Sequence, residues 1–188
     1  MINRMMRAAR LEVPFYEEIE ADISGTNQAL LVVVLVALAS GIGAAIGASF
    51  AGASAGVLVG RLVSGVVGAL VGWAVWSYVV YFVGTRLFRG TATYGELLRT
   101  LGFAESPGVL LILSFIPVLG GILSLVVFVW TLVASFIATR QALDVDNTKT
   151  FFTILLGAVA LVIVVTVISL IFAAVFATGA LFGAAAAG

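Results

Sequence analysis

The sequence predicts an all-α fold: a polytopic transmembrane helical bundle of about five membrane helices, the third short and kinked. Two further amphipathic helices, one N-terminal and one mid-chain, are expected at the membrane interface. Three observations carry this. Of the 188 residues, 63% are apolar and 10% charged, with mean hydropathy +1.27, whereas soluble domains run at roughly 45–50% and 25%. Uncharged runs recur along the chain, and about 20 such residues suffice to cross a ~30 Å hydrocarbon layer. Finally, a net charge of zero conceals a one-sided distribution of the basic residues.

In chain order, residues 1–27 form a polar, cytoplasmic amphipathic arm with Arg4, Arg7 and Arg10 ahead of Glu12, Glu17, Glu18, Glu20 and Asp22. Leu11, Phe15, Ile19 and Ile23 recur every four residues, one narrow apolar stripe on a helix whose first turn suits Pro14. This predicts a helix lying on the membrane surface. A signal peptide would carry a shorter apolar core nearer the start. The membrane domain, 28–182, opens with a span at 28–50, for which Thr26 or Asn27 offers a cap. A second span covers 62–83, and Trp73, Trp76, Tyr78 and Tyr81 place its later half near an interface. The runs 121–139 and 151–180 are each long enough to cross, and a neutral tail occupies 183–188. Between the second and fourth runs, Tyr94, Leu97, Leu98 and Leu101 share one helix face, with Glu96 and Arg99 as an i,i+3 pair.

The third segment begins with Ser106 as N-cap and Pro107 as first helical residue. Its twelve residues, 107–118, make only ~18 Å of helix, and Pro117, Gly120 and Gly121 then break it. Charge supplies what length does not. If the segment fails to cross, Arg140 and Lys149 fall opposite Arg4, Arg7, Arg10, Arg86, Arg89 and Arg99. If it crosses, all eight lie together and only Arg61 stands apart. Basic residues in short loops mark the cytoplasmic face, so a multi-pass protein of the plasma or inner membrane follows, with a cytoplasmic N-terminus and a non-cytoplasmic C-terminus.

The stretch YGELLRTLGFAESPG, its place after the second span and the short proline-containing helix beyond it resemble the Yip family, the Ypt/Rab-interacting membrane proteins. ATRQALDVDNTKTFF and FYEEIEADISGTNQALLVVV are similar to prokaryotic members, and the resemblance extends over roughly 15–171. It implies five membrane helices and a cytoplasmic N-terminus. The acidic-Leu-Tyr-Gly-Pro element of eukaryotic members is absent, and their long N-terminal region is here a short arm. A trafficking role therefore does not carry over.

The chain has no cysteine and no histidine, which removes thiolate chemistry and the commonest base and metal ligand. Ser40 and Ser64, in ASG and VSG, lack a base and read as small packing residues. Asp144 and Asp146 resemble the start of a calcium loop, but the glycine and terminal glutamate of that loop are missing. They read instead as residues around the last helix's N-terminus, where Asp146, Asn147 or Thr148 can cap. No enzyme, cofactor, metal or nucleic-acid site is expected.

Two features stand out. Small residues recur at Gly43 and Gly47 and then at Gly52, Gly56, Gly60, Ser64, Gly68 and Gly72, a row that permits close helix contact in lipid; it favours packing between the first two spans of the same chain, with a helix of another copy as the alternative. Arg61 and Glu105 are charges near the apolar interior, where charge is costly. Arg61 is expected to snorkel to the outer interface, apart from Glu105. Glu105 sits at a helix N-terminus or forms a recessed site for a cation or proton. The chain therefore reads as a membrane-organising, adaptor or accessory subunit contacting lipids and other membrane proteins or further copies of itself. The alternative is a small transporter, channel or lipid-translocating protein working around Glu105.

Overall fold

The structure, a computed structural model, describes residues 1–186, with side chains described in full through residue 170. Residues 187 and 188, which end the neutral tail expected at 183–188, lie outside the described residues. The described residues form helices and no strands: α1 (Ile2–Ala9), α2 (Val13–Ala21), α3 (Gly25–Phe50), α4 (Ala55–Phe88), α5 (Tyr94–Ala104), a 3-10 segment (Ser106–Leu113), α6 (Leu119–Leu143) and α7 (Asn147–Ala186). Four of these, α3, α4, α6 and α7, are long and apolar enough to cross a membrane, which makes this a multi-pass membrane protein in contact with lipid. The third segment is wound as a tight 3-10 turn sequence, whose eight residues reach ~16 Å.

The arm differs from the single surface helix its stripe suggests. It breaks at Leu11, which adopts φ 61°, and α1 folds back along α2. Arg7 donates from Nε to Glu12 (3.0 Å) and from Nη1 to Glu18 (2.6 Å), and Arg4 donates to Asp22 (2.8 Å). Pairs nested in this order are those of an antiparallel hairpin. Pro14 does fall in the first turn of α2, where its missing N–H costs nothing. Phe15, Tyr16 and Ile19 are fully buried, whereas Ile23 is 81% exposed. The apolar face of α2 is covered by protein, with the Phe15 ring edge-on to Phe103 of α5 at 5.3 Å, a favoured aromatic geometry.

α5 is likewise internal. Leu97, Leu101, Phe103 and Ala104 join Phe15, Ile19, Val32, Val80, Ala134, Ala138 and Leu143 in one core. Its start is fixed by a capping box, Glu96 N–H donating to Thr93 Oγ1 and Thr93 N–H to Glu96 Oε2. Two polar tips fasten it to α4: Trp73 Nε1 donates to Leu98 O (3.0 Å) and Tyr94 Oη to Ala74 O (3.0 Å). The bundle core therefore lies at one end, where α2 and α5 fill the space among α3, α4 and α6.

Several ends converge there. Leu143, closing α6, packs over Gly84 and Gly90, where a Cβ would come within 2.5 and 2.8 Å of its side chain. Thr91 N–H donates to Leu143 O (3.1 Å) and Gln141 to Glu17 (2.7 Å). The C-terminal ends of α4 and α6 and the arm thus share one pole. Asp146 caps α7 by accepting from Lys149 N–H (2.9 Å), as the sequence suggests. The cap expected of Thr26 or Asn27 does not form: α3 starts at Gly25, and Asp22 Oδ1 instead accepts from Ser24 N–H (3.0 Å) and Oγ (2.6 Å).

Candidate functional site

The small-residue row divides. Gly43 faces the third segment: a Cβ there would stand 2.5 Å from Leu111 O and 2.9 Å from Ile112 O, and one at Gly47 would be 3.8 Å from the Phe115 backbone. Only glycine at 43 lets these backbones meet. Gly52, Gly56, Gly60, Gly68 and Gly72 have open space beside them, and Ser64 is exposed. The packing of α4 on α3 uses Gly41 instead, where a Cβ would stand 2.6 Å from the Leu62 side chain. The expectation that this row joins the first two spans is not met within the chain at Gly56, Gly60 and Gly68, which turn away from α3, around the helix from Leu62, while Gly72 lines a cavity between α3 and α4 instead of a close contact.

The third segment differs locally from its sequence reading. Ser106 does not cap; its hydroxyl donates to Phe103 O (2.6 Å), and Glu105 takes the N-cap position while Pro107 falls in the first turn. Beyond Leu113 the chain turns at Val118 (φ 66°, ψ −55°), with Leu119 N–H donating to Pro117 O (2.7 Å). This is a positive-φ γ-turn, rare and strained in a β-branched residue. Gly120 follows against Ser114 O, 2.1 Å from a Cβ placed there, whereas Gly121 has open space beside it.

Glu105 occupies the junction of two cavities. One, about 380 Å³, is walled by Val33 and Ser40 of α3, Trp73 and Trp76 of α4, and Ser135 of α6. The other, about 430 Å³ and the more open of the two, lies between the 3-10 segment and α6 beside Ser124, Phe128 and Thr131. Val36, Glu105 and Leu111 line both. Among the described residues no donor bonds the Glu105 carboxylate and no basic side chain pairs with it. Arg61 is exposed on α4 and lines a separate small hollow with Gly41, Ala44, Ala45 and Leu58. It does not meet Glu105.

Arg99 is the charged residue that local spacing misplaces. It does not pair with Glu96, which serves the capping box. It is 6% exposed and donates from Nε to Ile19 O (3.1 Å) and Glu20 O (3.1 Å), from Nη2 to Glu20 O, and from Nη1 to Thr26 Oγ1 (3.5 Å). The carbonyls ending α2 have no helical partner of their own, and a cation there suits both their lone pairs and the helix dipole. Nearby, desolvation pushes the Glu20 carboxyl up to about 7. Asp144, Glu96 and Glu17 add repulsion and Arg99 opposes it. No group of three or more His, Cys, Asp or Glu side chains could hold a metal among the described residues.

The family model described as the Yip1 domain matches residues 12–170. Neither the curated proteins nor the solved structures contain a match.

Proposed function

The chain belongs to the Yip1 domain family, and from that membership and the geometry we propose that it works by association within the membrane, as an organising, adaptor or accessory subunit. The observation that carries this reading is the outer face of α4. Gly56, Gly60, Ser64 and Gly68 lie along it with nothing from the same chain against the glycines, although glycines at 43, 84, 102 and 108 are each packed closely by another element of the fold. Hydrophobicity does not drive helices together in lipid, so a smooth row of small residues favours contact with another helix over contact with acyl chains. The partner helix belongs to a second copy or to another membrane protein.

Support for five crossings comes from the two ends of the third segment. α4 and α6 finish at the same pole, so the chain must travel away from that pole between them. The segment does so beside Gly43 and Gly47, which stand ~27–33 Å along α3 from Gly25 at 1.5 Å per residue. On this topology the pole carrying the arm is cytoplasmic.

The chain lacks cysteine, so Ser64→Cys gives a single, nearly isosteric reporter. Mild oxidation in native membranes is expected to yield a disulfide-linked dimer or a mixed disulfide with one partner, and Gly60→Leu with Gly68→Leu in the same chain to abolish it. A Ser64→Cys chain that stays monomeric, and a parent that elutes alone after gentle solubilisation, would sink the reading.

A further inference from the structure

The carboxylate of Glu105 is the group the association reading leaves unused. Glu105 is half-buried, and a carboxylate recessed between apolar cavity walls without a donor is costly; charges held in such a setting mark candidate ligand sites. The cavity it shares with Trp73 and Trp76 falls within the ~300–1,000 Å³ common for small-molecule sites. Trp73 is fixed by its bond to Leu98 O. One acid without a second acid, histidine or thiolate is a poor cage for a hard metal ion, which takes six or more oxygens. A single carboxylate with indole walls and two hydroxyls, Ser40 and Ser135, suits a cation that is itself partly apolar, because aromatic faces attract ammonium groups. The second cavity supplies the route: it meets the first at Glu105 and opens beside Phe128, 63% exposed on the apolar flank of α6.

We propose that the two cavities joined at Glu105 form a binding site for an organic ammonium group, reached either sideways from the bilayer as an aminophospholipid headgroup or from water as a free amine. The carboxylate supplies the countercharge, Trp73 and Trp76 the aromatic wall, and the cleft at Ser124 and Thr131 the passage for whatever the ammonium group is attached to.

The full chain in nanodiscs of phosphatidylglycerol, titrated with tetramethylammonium chloride against sodium chloride at equal ionic strength, is expected to show a saturable change in tryptophan fluorescence. In a second arm, protein released from mixed phosphatidylethanolamine and phosphatidylglycerol vesicles is weighed by native mass spectrometry. Retained phosphatidylethanolamine assigns the lipid source, and tetramethylammonium saturation without it assigns the free amine. Glu105→Gln should weaken whichever response appears by at least about tenfold. Ser135→Leu, which fills the cavity and leaves the charge, should do the same with an unchanged melting temperature, so a failure of the first variant to fold leaves the second to decide. No response to either probe, or an equal response in a folded variant, overturns the site.

Discussion

Arg99 shows how one buried cation can tie together segments far apart in the chain. Its guanidinium serves carbonyls of Ile19 and Glu20, 80 and 79 positions upstream, and so joins the arm to α5. Arg99→Met is expected to cost about 3 kcal/mol, since it leaves those carbonyls short of donors in a site that water reaches poorly. Arg99→Lys should recover only part, because a single ammonium cannot reproduce the planar fork. Thermal unfolding of the detergent-solubilised protein measures both, and an Arg99→Met chain melting with the parent would remove the arginine from the architecture. Local spacing could not reveal this. It places Glu96 and Arg99 one helical turn apart, a pairing that presumes no stronger partner. The signal for Glu96 was nonetheless present, as Thr93-x-x-Glu96 is the pattern of a capping box. A glutamate occupied in that way leaves Arg99 for another partner, though not which one.

At the scale of elements, the long helices were legible because each is an uninterrupted apolar run, and the observed α3 and α6 extend the expected 28–50 and 121–139 by a few residues at their ends. The third segment was legible as a break, through Pro107, Pro117, Gly120 and Gly121. Its 3-10 winding was not, since that depends on how closely α3 lets it approach at Gly43. The arm and α5 were legible as amphipathic helices, but whether lipid or protein covers an apolar stripe depends on distant residues such as Phe103. The turn after the 3-10 segment makes a prediction with two signs. Gly120→Ala sets a Cβ against the Ser114 carbonyl, a backbone atom that cannot swing aside, and should destabilise by about 2–3 kcal/mol. Val118→Gly removes an 83% exposed side chain from a positive-φ turn and should gain about 1 kcal/mol, the relieved strain exceeding the added chain entropy. Melting temperatures moving in opposite directions support the turn as drawn, while a destabilised Val118→Gly would show that its side chain is needed there.

For the whole molecule, the distribution of charge and the path of the chain bear on the same question. Eight of the nine basic residues fall on the arm, the C-terminal ends of α4 and α6, α5, and the start of α7. Arg61 alone lies toward the opposite pole, six residues into α4. With five crossings the pole carrying those eight is the cytoplasmic one and obeys the bias of basic residues in short loops; with four, Arg140 and Lys149 would be stranded on the other side. The absence of cysteine makes the matter directly measurable. Ser54→Cys, Val118→Cys and Thr148→Cys all sit at exposed positions, between α3 and α4, after the 3-10 segment and in the first turn of α7. In intact cells a membrane-impermeant maleimide is expected to label Ser54→Cys and Val118→Cys, and to reach Thr148→Cys only after permeabilisation. The decisive position is Val118. If the 3-10 segment merely dips into the bilayer and returns, a cysteine there is shielded or reacts together with Thr148→Cys, and the five-crossing topology fails. If it reacts with Ser54→Cys, a segment of only ~16 Å has carried the chain across. The turn residues up to Val118 add to its reach, and Gly43 against Leu111 and Ile112 and Gly47 against Phe115 cover backbone that would otherwise face lipid.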